Sequence, residues 1–298
     1  MRVVVFGATG TIGQALVPLL AREHDVVAVS RQERQAGADG ITWARADATA
    51  AKSVRAALDG ADVAYYLVHS LGSPDFERRD RVAAETVARE ASSAGLQQII
   101  YLGGLGDDSP DLSPHLRSRI ATGLALGSGP VPVTTLRAAM VVGAGSAAFE
   151  TILALVDHLP AMVCPRWVST PTQPIAIDDV VDYLAAVCGR TEFLGESFDI
   201  GGPEVMTYRQ MIEQIGRLRG RNPLIVEVPV LTPRLSSYWL HLVTPVGAGI
   251  ARPLIEGLRN ATIVRDERIR QLILLELTPF GAAVQAALAK TSSLTLAG

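Results

Sequence analysis

Arg2-Val3-Val4-Val5-Phe6-Gly7-Ala8-Thr9-Gly10-Thr11-Ile12-Gly13 opens the chain, and the reading of this stretch decides the fold. Val3 to Phe6 is an apolar, β-branched run of the kind that makes a buried strand. Gln14 to Glu23 then carries Ala15, Leu16, Leu19 and Leu20 at helical spacing. Between strand and helix the glycines recur as Gly-x-x-Gly-x-x-Gly. Gly7 permits a tight turn, Gly10 lets backbone amides approach an anion, and Gly13 lets the helix pack closely on the strand. The unpaired amides at a helix start carry roughly half a positive charge, which suits a pyrophosphate. The spacing alone also fits an ordinary βα turn. Its place between a first strand and a first helix is what points to a dinucleotide. Gly7, Ala8, Thr9, Gly10, Thr11, Ile12 and Gly13 are therefore the candidate phosphate loop.

Working outward, His24 to Val29 is a second apolar strand, which completes a βαβ unit. It ends in Ser30-Arg31, where an NAD-specific site usually has an acidic residue. A guanidinium can fork onto a ribose 2′-phosphate, with the Ser30 hydroxyl as a second donor, so these residues favour NADPH over NADH. The other reading is a solvated loop arginine. A third strand, Ile41 to Arg45, runs into Asp47-Ala48. Asp47 either accepts from an adenine amine or caps a helix starting near Thr49.

Further strands follow at Val63 to His69, Gln98 to Leu102 and Val133 to Leu136, separated by helical stretches such as Phe76 to Ser93. Alternating strands and helices predict an α/β fold, a Rossmann-type doubly wound parallel sheet with a smaller C-terminal substrate lobe. The expected division is 1–145 plus 174–202 for the dinucleotide domain, and 146–172 plus 203–298 for the lobe. Ligand crevices in such sheets lie at the strand C-termini. Leu67, Val68, His69, Gly103 and Gly104 stand there as candidate cofactor contacts.

The segments Tyr65–Ser70 (YYLVHS), Tyr101–Gly106 (YLGGLG), His115–Arg119 (HLRSR) and Gln173–Ile177 (QPIAI) carry a resemblance. With them the chain resembles the atypical, NmrA-like short-chain dehydrogenases/reductases, and bacterial NAD(P)-binding proteins with these segments. A looser similarity is to the nucleotide-binding accessory subunit of respiratory complex I. The resemblance implies a Rossmann fold and a nicotinamide dinucleotide, with Ala138, Ala139 and Met140 passing near the nicotinamide. Small residues there also simply permit close packing.

Typical enzymes of that kind carry a serine at the end of the fifth strand and a Tyr-x-x-x-Lys on the next helix, the tyrosine serving as acid/base. Here the strand ends in Gly103-Gly104, and no tyrosine has a lysine four positions on. Of 27 lysines and arginines, only Lys52 and Lys290 are lysines, and both lie outside that helix. In its place stands Ser113-Pro114-His115-Leu116-Arg117-Ser118-Arg119, with Ser113 and Pro114 as expected N-cap and first helical position. His115 and Arg119, four apart, share a face. Arg119 can bond ribose hydroxyls but cannot usefully change protonation state. His115 can act as an acid near neutral pH; its other reading is a surface or capping residue. His69 is a second catalytic candidate, or a histidine bonding a neighbouring loop.

The rest of the chain narrows the classes. With 48% hydrophobic and 19% charged residues and a net charge of −3, disorder is excluded as the main state. A sequence pI of about 6.0 leaves no basic footprint for nucleic acid. Two cysteines make neither a disulfide framework nor a multi-cysteine zinc site. No secretory signal is recognised, so the expected location is cytoplasmic. Asp178 and Asp179 are expected to cap the helix they open, with catalytic carboxylate work as the minority reading. Between Arg234 and Arg252 no residue is charged. The run 235–251 is too short and interrupted for a membrane span. It remains a pocket lid, plain core or a peripheral membrane contact. Two functions stay open: an NADPH-dependent reductase of a quinone or carbonyl with a nonstandard proton relay, and a non-catalytic NADPH-binding redox sensor or assembly factor with a protein partner.

Overall fold

The alternation of Val3 to Phe6 buries one set of side chains on each face of a central sheet. In the computed structural model, which describes residues 1–34, 41–70, 72–73, 75–106, 112–228 and 257–296, Val3 and Val5 face one core while Val4 and Phe6 face another. A strand buried on both sides reads as a continuous apolar run, as here. Each such valine contributes roughly 1.5–3 kcal/mol by leaving water.

The strands in chain order are β1 (Arg2–Phe6), β2 (Asp25–Ser30), β3 (Thr42–Arg45), β4 (Val63–Tyr66), β5 (Gln98–Gly104), β6 (Val133–Ala138), β7 (Val141–Val142), β8 (Ala161–Pro165), β9 (Pro171–Thr172), β10 (Ile175–Ala176), β11 (Ser197–Ile200), β12 (Met206–Thr207) and β13 (Leu224–Val228). The helices are α1 (Thr11–Leu20), α2 (Ala51–Ala57), α3 (Phe76–Ala94), α4 (Pro114–Leu126), α5 (Ala147–His158), α6 (Ile177–Ala186), α7 (Tyr208–Leu218), α8 (Arg268–Leu272) and α9 (Phe280–Leu296). Seven parallel strands form one sheet in the order β11-β6-β5-β4-β1-β2-β3. Helices α1 and α6 cover one face; α2, α3 and α4 cover the other. This is the Rossmann-type α/β architecture expected from the strand–helix alternation.

β11 returns from the 174–202 segment to pair with β6 along Ser197–Ile200. β10, from the same segment, instead pairs with β7 outside the main sheet. A third core gathers Phe149, Ile152 and Val156 of α5 with Met211, Ile212 and Ile215 of α7 and Phe280 and Val284 of α9. β8 and β13 pair in parallel beside it.

The capping expected of Asp178 and Asp179 is corrected. α6 is N-capped by Ala176 with no side-chain cap. Buried Asp179 instead accepts from the Thr278 amide at 2.9 Å and its hydroxyl at 2.8 Å, and Asp178 meets Lys290 at 3.2 Å. Both carboxylates thus fasten the C-terminal segment to α6. The 235–251 run lies outside the described residues. Among the described residues no helix is long and apolar enough to cross a membrane.

Candidate functional site

The loop after β1 is a cradle only glycine can make. Gly7 has φ +86°, and a Cβ there would stand 2.7 Å from the Leu67 carbonyl oxygen. A Cβ on Gly13 would stand 2.3 Å from the Gly7 oxygen and 2.6 Å from the Ala8 Cα. Gly10 meets only the Gly7 oxygen, at 3.3 Å, and its amide donates to that oxygen at 2.9 Å. α1 begins at Thr11 with no side-chain cap and no acid in its first turn, so its amides remain open to an anion. Backbone and helix end together fit a dinucleotide pyrophosphate. Ala8 is buried beneath the loop and Thr9 is exposed, its carbonyl held by Gln14 Nε2 at 2.8 Å.

A cavity of about 390 Å³ opens beside this loop. Gly7, Gly10, Thr11, Ile12 and Gly13 form one wall, and Leu67, His69, Leu102, Gly104, His115 and Arg119 a second. Ala138, Ala139 and Met140 line a third side. Tyr208 and Leu258 of the third core close it together with Ser146, Ala147 and Thr262. The Thr11 hydroxyl donates to the Gly145 carbonyl at 2.8 Å, tying the loop to the segment that opens α5. Two expected contacts face elsewhere. Val68 packs into the core beneath α3, and a Cβ on Gly103 would meet Tyr101, Thr135 and Arg137 on the side away from the cavity.

At the ends of β2 and β3 lie Ser30, Arg31, Asp47 and Ala48, beyond the cavity lining. Arg31 is exposed, and the Ser30 hydroxyl accepts from the Gln32 amide at 3.1 Å. Asp47 does not cap α2, whose N-cap is Ala50 without a side-chain bond. Its carboxylate accepts from the Thr49 amide and hydroxyl at 2.9 and 2.7 Å, an Asx-type turn ahead of the helix. Those two bonds, with the charges of Arg31 and Arg79, hold it below the ordinary carboxylate value. Arg79 is a second cation at this end, missed in the sequence because it sits in a run of charged helix residues.

α4 starts as expected. The Ser113 hydroxyl accepts from the Leu116 amide at 3.3 Å with Pro114 in first position, so His115 and Arg119 fall on the cavity face. Arg119 donates to the Leu102 carbonyl and lies 4.9 Å from the Tyr101 ring centre, and its own carbonyl accepts from the Tyr101 hydroxyl at 2.8 Å. His69 lies in the loop three residues beyond β4. Its Nδ1 is 2.7 Å from Asp80 Oδ2, and its Nε2 is 3.3 Å from His115 Nδ1. The Ser70 amide donates to the other Asp80 oxygen at 2.9 Å. The two histidine candidates, 46 residues apart in sequence, are thus joined in one chain that ends on Asp80.

Asp80, 1% exposed, is the residue that sequence reasoning missed. Its signal was present: Asp80, Ala83, Ala84, Val87 and Ala91 share the buried stripe of α3, and an acid in an apolar register asks for a partner. Burial alone raises its carboxyl, but bonds from His69 and Ser70 and the charge of Arg119 outweigh that and hold it low. Burial drives His69 below its ordinary value, with the Asp80 bond pulling upward and Arg119 downward. Burial, then His69 and Arg119, push His115 down to about 3.

Comparison with known proteins agrees with this geometry. Residues 7–125 match the model of a family described as NAD(P)H-binding. A curated relative from Streptomyces griseus, (4-alkanoyl-5-oxo-2,5-dihydrofuran-3-yl)methyl phosphate reductase, is 25% identical over 232 residues, 74% of each chain. Three longer mycobacterial relatives are matched over only 23% of their length. Among solved structures, the Citrobacter sp. triphenylmethane reductase complexed with NADP(H) superposes with a TM-score of 0.77 at 18% identity, over 96% of this chain and 100% of that one. An NADPH-dependent quinone oxidoreductase from Escherichia coli, complexed with NADPH, gives 0.77 at 20% identity, over 96% and 99%. The fold is shared with both, and residues 7–125 are similar to the NAD(P)H-binding family.

Proposed function

We propose that the chain is an NADPH-dependent reductase of a quinone or conjugated carbonyl, with His115 as the proton donor to the acceptor oxygen. The observation that carries this reading is the meeting of the glycine cradle with the His69–His115 pair around one largely apolar cavity. Gly7, Gly10, Gly13 and the start of α1 would hold the pyrophosphate, and Arg31 with Ser30 the 2′-phosphate. Bound reduced nicotinamide supplies hydride. Leu67, Leu102, Met140 and Leu258 exclude water and suit a planar, weakly polar acceptor. A quinone needs a weaker proton donor than a simple ketone, so a histidine can serve where the tyrosine and lysine are missing. The reductase names of the Streptomyces relative and of both structural neighbours support the same class.

The test is NADPH fluorescence with purified protein during addition of a quinone and carbonyl panel. Binding followed by decay with one acceptor is the expected result. A bound signal that persists through the whole panel replaces this reading with the non-catalytic sensor.

A further inference from the structure

A histidine held neutral far below pH 7 is a poor acid on its own, and the surroundings of His115 resolve this. We propose that Asp80, His69 and His115 work as one proton chain, in which Asp80 is a positioning residue that keeps the movable proton on His69 and has His115 pass it on. This rests on the reductase reading for its direction, and on the hydrogen-bond geometry alone for its existence.

The order of the bonds follows from Asp80. Its carboxylate already accepts from the Ser70 amide, so it accepts from His69 as well, and His69 Nδ1 carries a hydrogen. In the neutral chain His69 Nε2 then accepts from His115 Nδ1, which leaves His115 Nε2 as a lone pair. With one proton added, every bond after Asp80 reverses. His69 is then an imidazolium against the Asp80 carboxylate, His69 Nε2 donates to His115 Nδ1, and His115 is neutral with hydrogen on Nε2.

Delivery is the return step. The His115 Nε2–H bond breaks as the acceptor O–H bond forms, and the His69 Nε2–H bond breaks as the His115 Nδ1–H bond forms. A bound reduced nicotinamide would supply the hydride to the acceptor; the acceptor oxygen gains this proton, and solvent restores the proton to the chain. His115 is never a cation. The charged groups facing the pair are Asp80 from α3 and Arg119 from α4, with the protonated Tyr66 and Tyr101 hydroxyls from β4 and β5 near Asp80. Burial and Arg119 lower both rings, so the chain protonates in a single step below the ordinary histidine value of about 6.5.

Side-chain ¹⁵N NMR of the protein without nucleotide, titrated with pH, tests this independently of turnover. The expected spectra show His115 protonated at Nδ1 at neutral pH and both rings moving in one transition below about pH 6.5. Asp80→Asn shifts that transition to lower pH and lowers kcat about 10²-fold, with the KM for NADPH unchanged. His115 protonated at Nε2 at neutral pH, or two rings titrating separately, overturns the proposal; the wild-type spectra decide even where Asp80→Asn fails to fold. Asp80→Asn with an unchanged transition also overturns it. The expected spectra without turnover on any acceptor uphold the chain and overturn the reductase reading instead.

Discussion

At the scale of single residues, the proposed cofactor preference and the proposed chemistry each rest on one side chain. Arg31 is exposed beside Asp47, with Arg79 near it, and in the proposed function its guanidinium meets a 2′-phosphate that a carboxylate would repel. Arg31→Asp is expected to weaken NADPH binding at least tenfold more than NADH binding, read by fluorescence titration; equal losses would remove Arg31 from that role. His115→Ala is expected to lower the reduction rate by about 10²–10⁴, and an unchanged single-turnover rate would take His115 out of the mechanism. His115, His69 and Arg119 were legible as candidates because a histidine at a strand end and a His-x-x-x-Arg helix start stand where the usual relay is missing. Their junction was not legible. A contact across 46 residues leaves no local pattern, and the only trace was an aspartate on the apolar stripe of α3.

At the scale of elements, the glycine turn separates stability from binding. A Cβ on Gly13 collides with fixed backbone at 2.3 and 2.6 Å, so Gly13→Ala is expected to cost about 3 kcal/mol or more in chemical denaturation. Gly10 has only one close neighbour, the Gly7 oxygen at 3.3 Å, so Gly10→Ala is expected to cost less stability than Gly13→Ala while weakening NADPH binding, since its methyl would crowd the proposed pyrophosphate position. A Gly10→Ala protein that melts early but binds normally would reverse these roles. The βαβ order was legible because Val3–Phe6 is a continuous apolar, β-branched run and Ala15, Leu16, Leu19 and Leu20 recur at helical spacing. The fate of Asp178 and Asp179 was not, because acids at a helix start read as caps whatever partners the remote chain brings. Asp179→Ala, which removes two bonds to Thr278, is expected to cost about 2 kcal/mol. Faster proteolysis of the C-terminal segment would accompany that loss, and unchanged cleavage would contradict the docking role.

At the scale of the whole molecule, the sheet supplies the cradle, and the third core closes the cavity over it through Tyr208 and Leu258, with Thr262 beside them. The parallel sheet was readable from alternation, but these closing residues were not. Short strands such as β9 and β12, and Thr262 outside any strand, carry no periodicity that a sequence displays. NADPH at a hundredfold excess over its Kd is expected to stabilise the protein by about 2.7 kcal/mol. In the proposed mechanism reduction draws on the protonated chain, and burial lowers His69 and His115, so the reductive rate is expected to fall as pH rises through a midpoint below about 6.5. A rate that climbs with pH across that range would place the proton donor elsewhere.

The central claim is hydride delivery from NADPH to an acceptor in this cavity, with its proton drawn from His115. Its most direct test is stopped-flow decay of protein-bound NADPH on mixing with a quinone at pH 6, for the wild type and for His115→Ala. The account predicts stoichiometric loss of the NADPH signal in the wild type and a decay slower by about two orders of magnitude or more in the variant. NADPH that stays bound and reduced against every quinone, or that decays equally fast in both proteins, would contradict it.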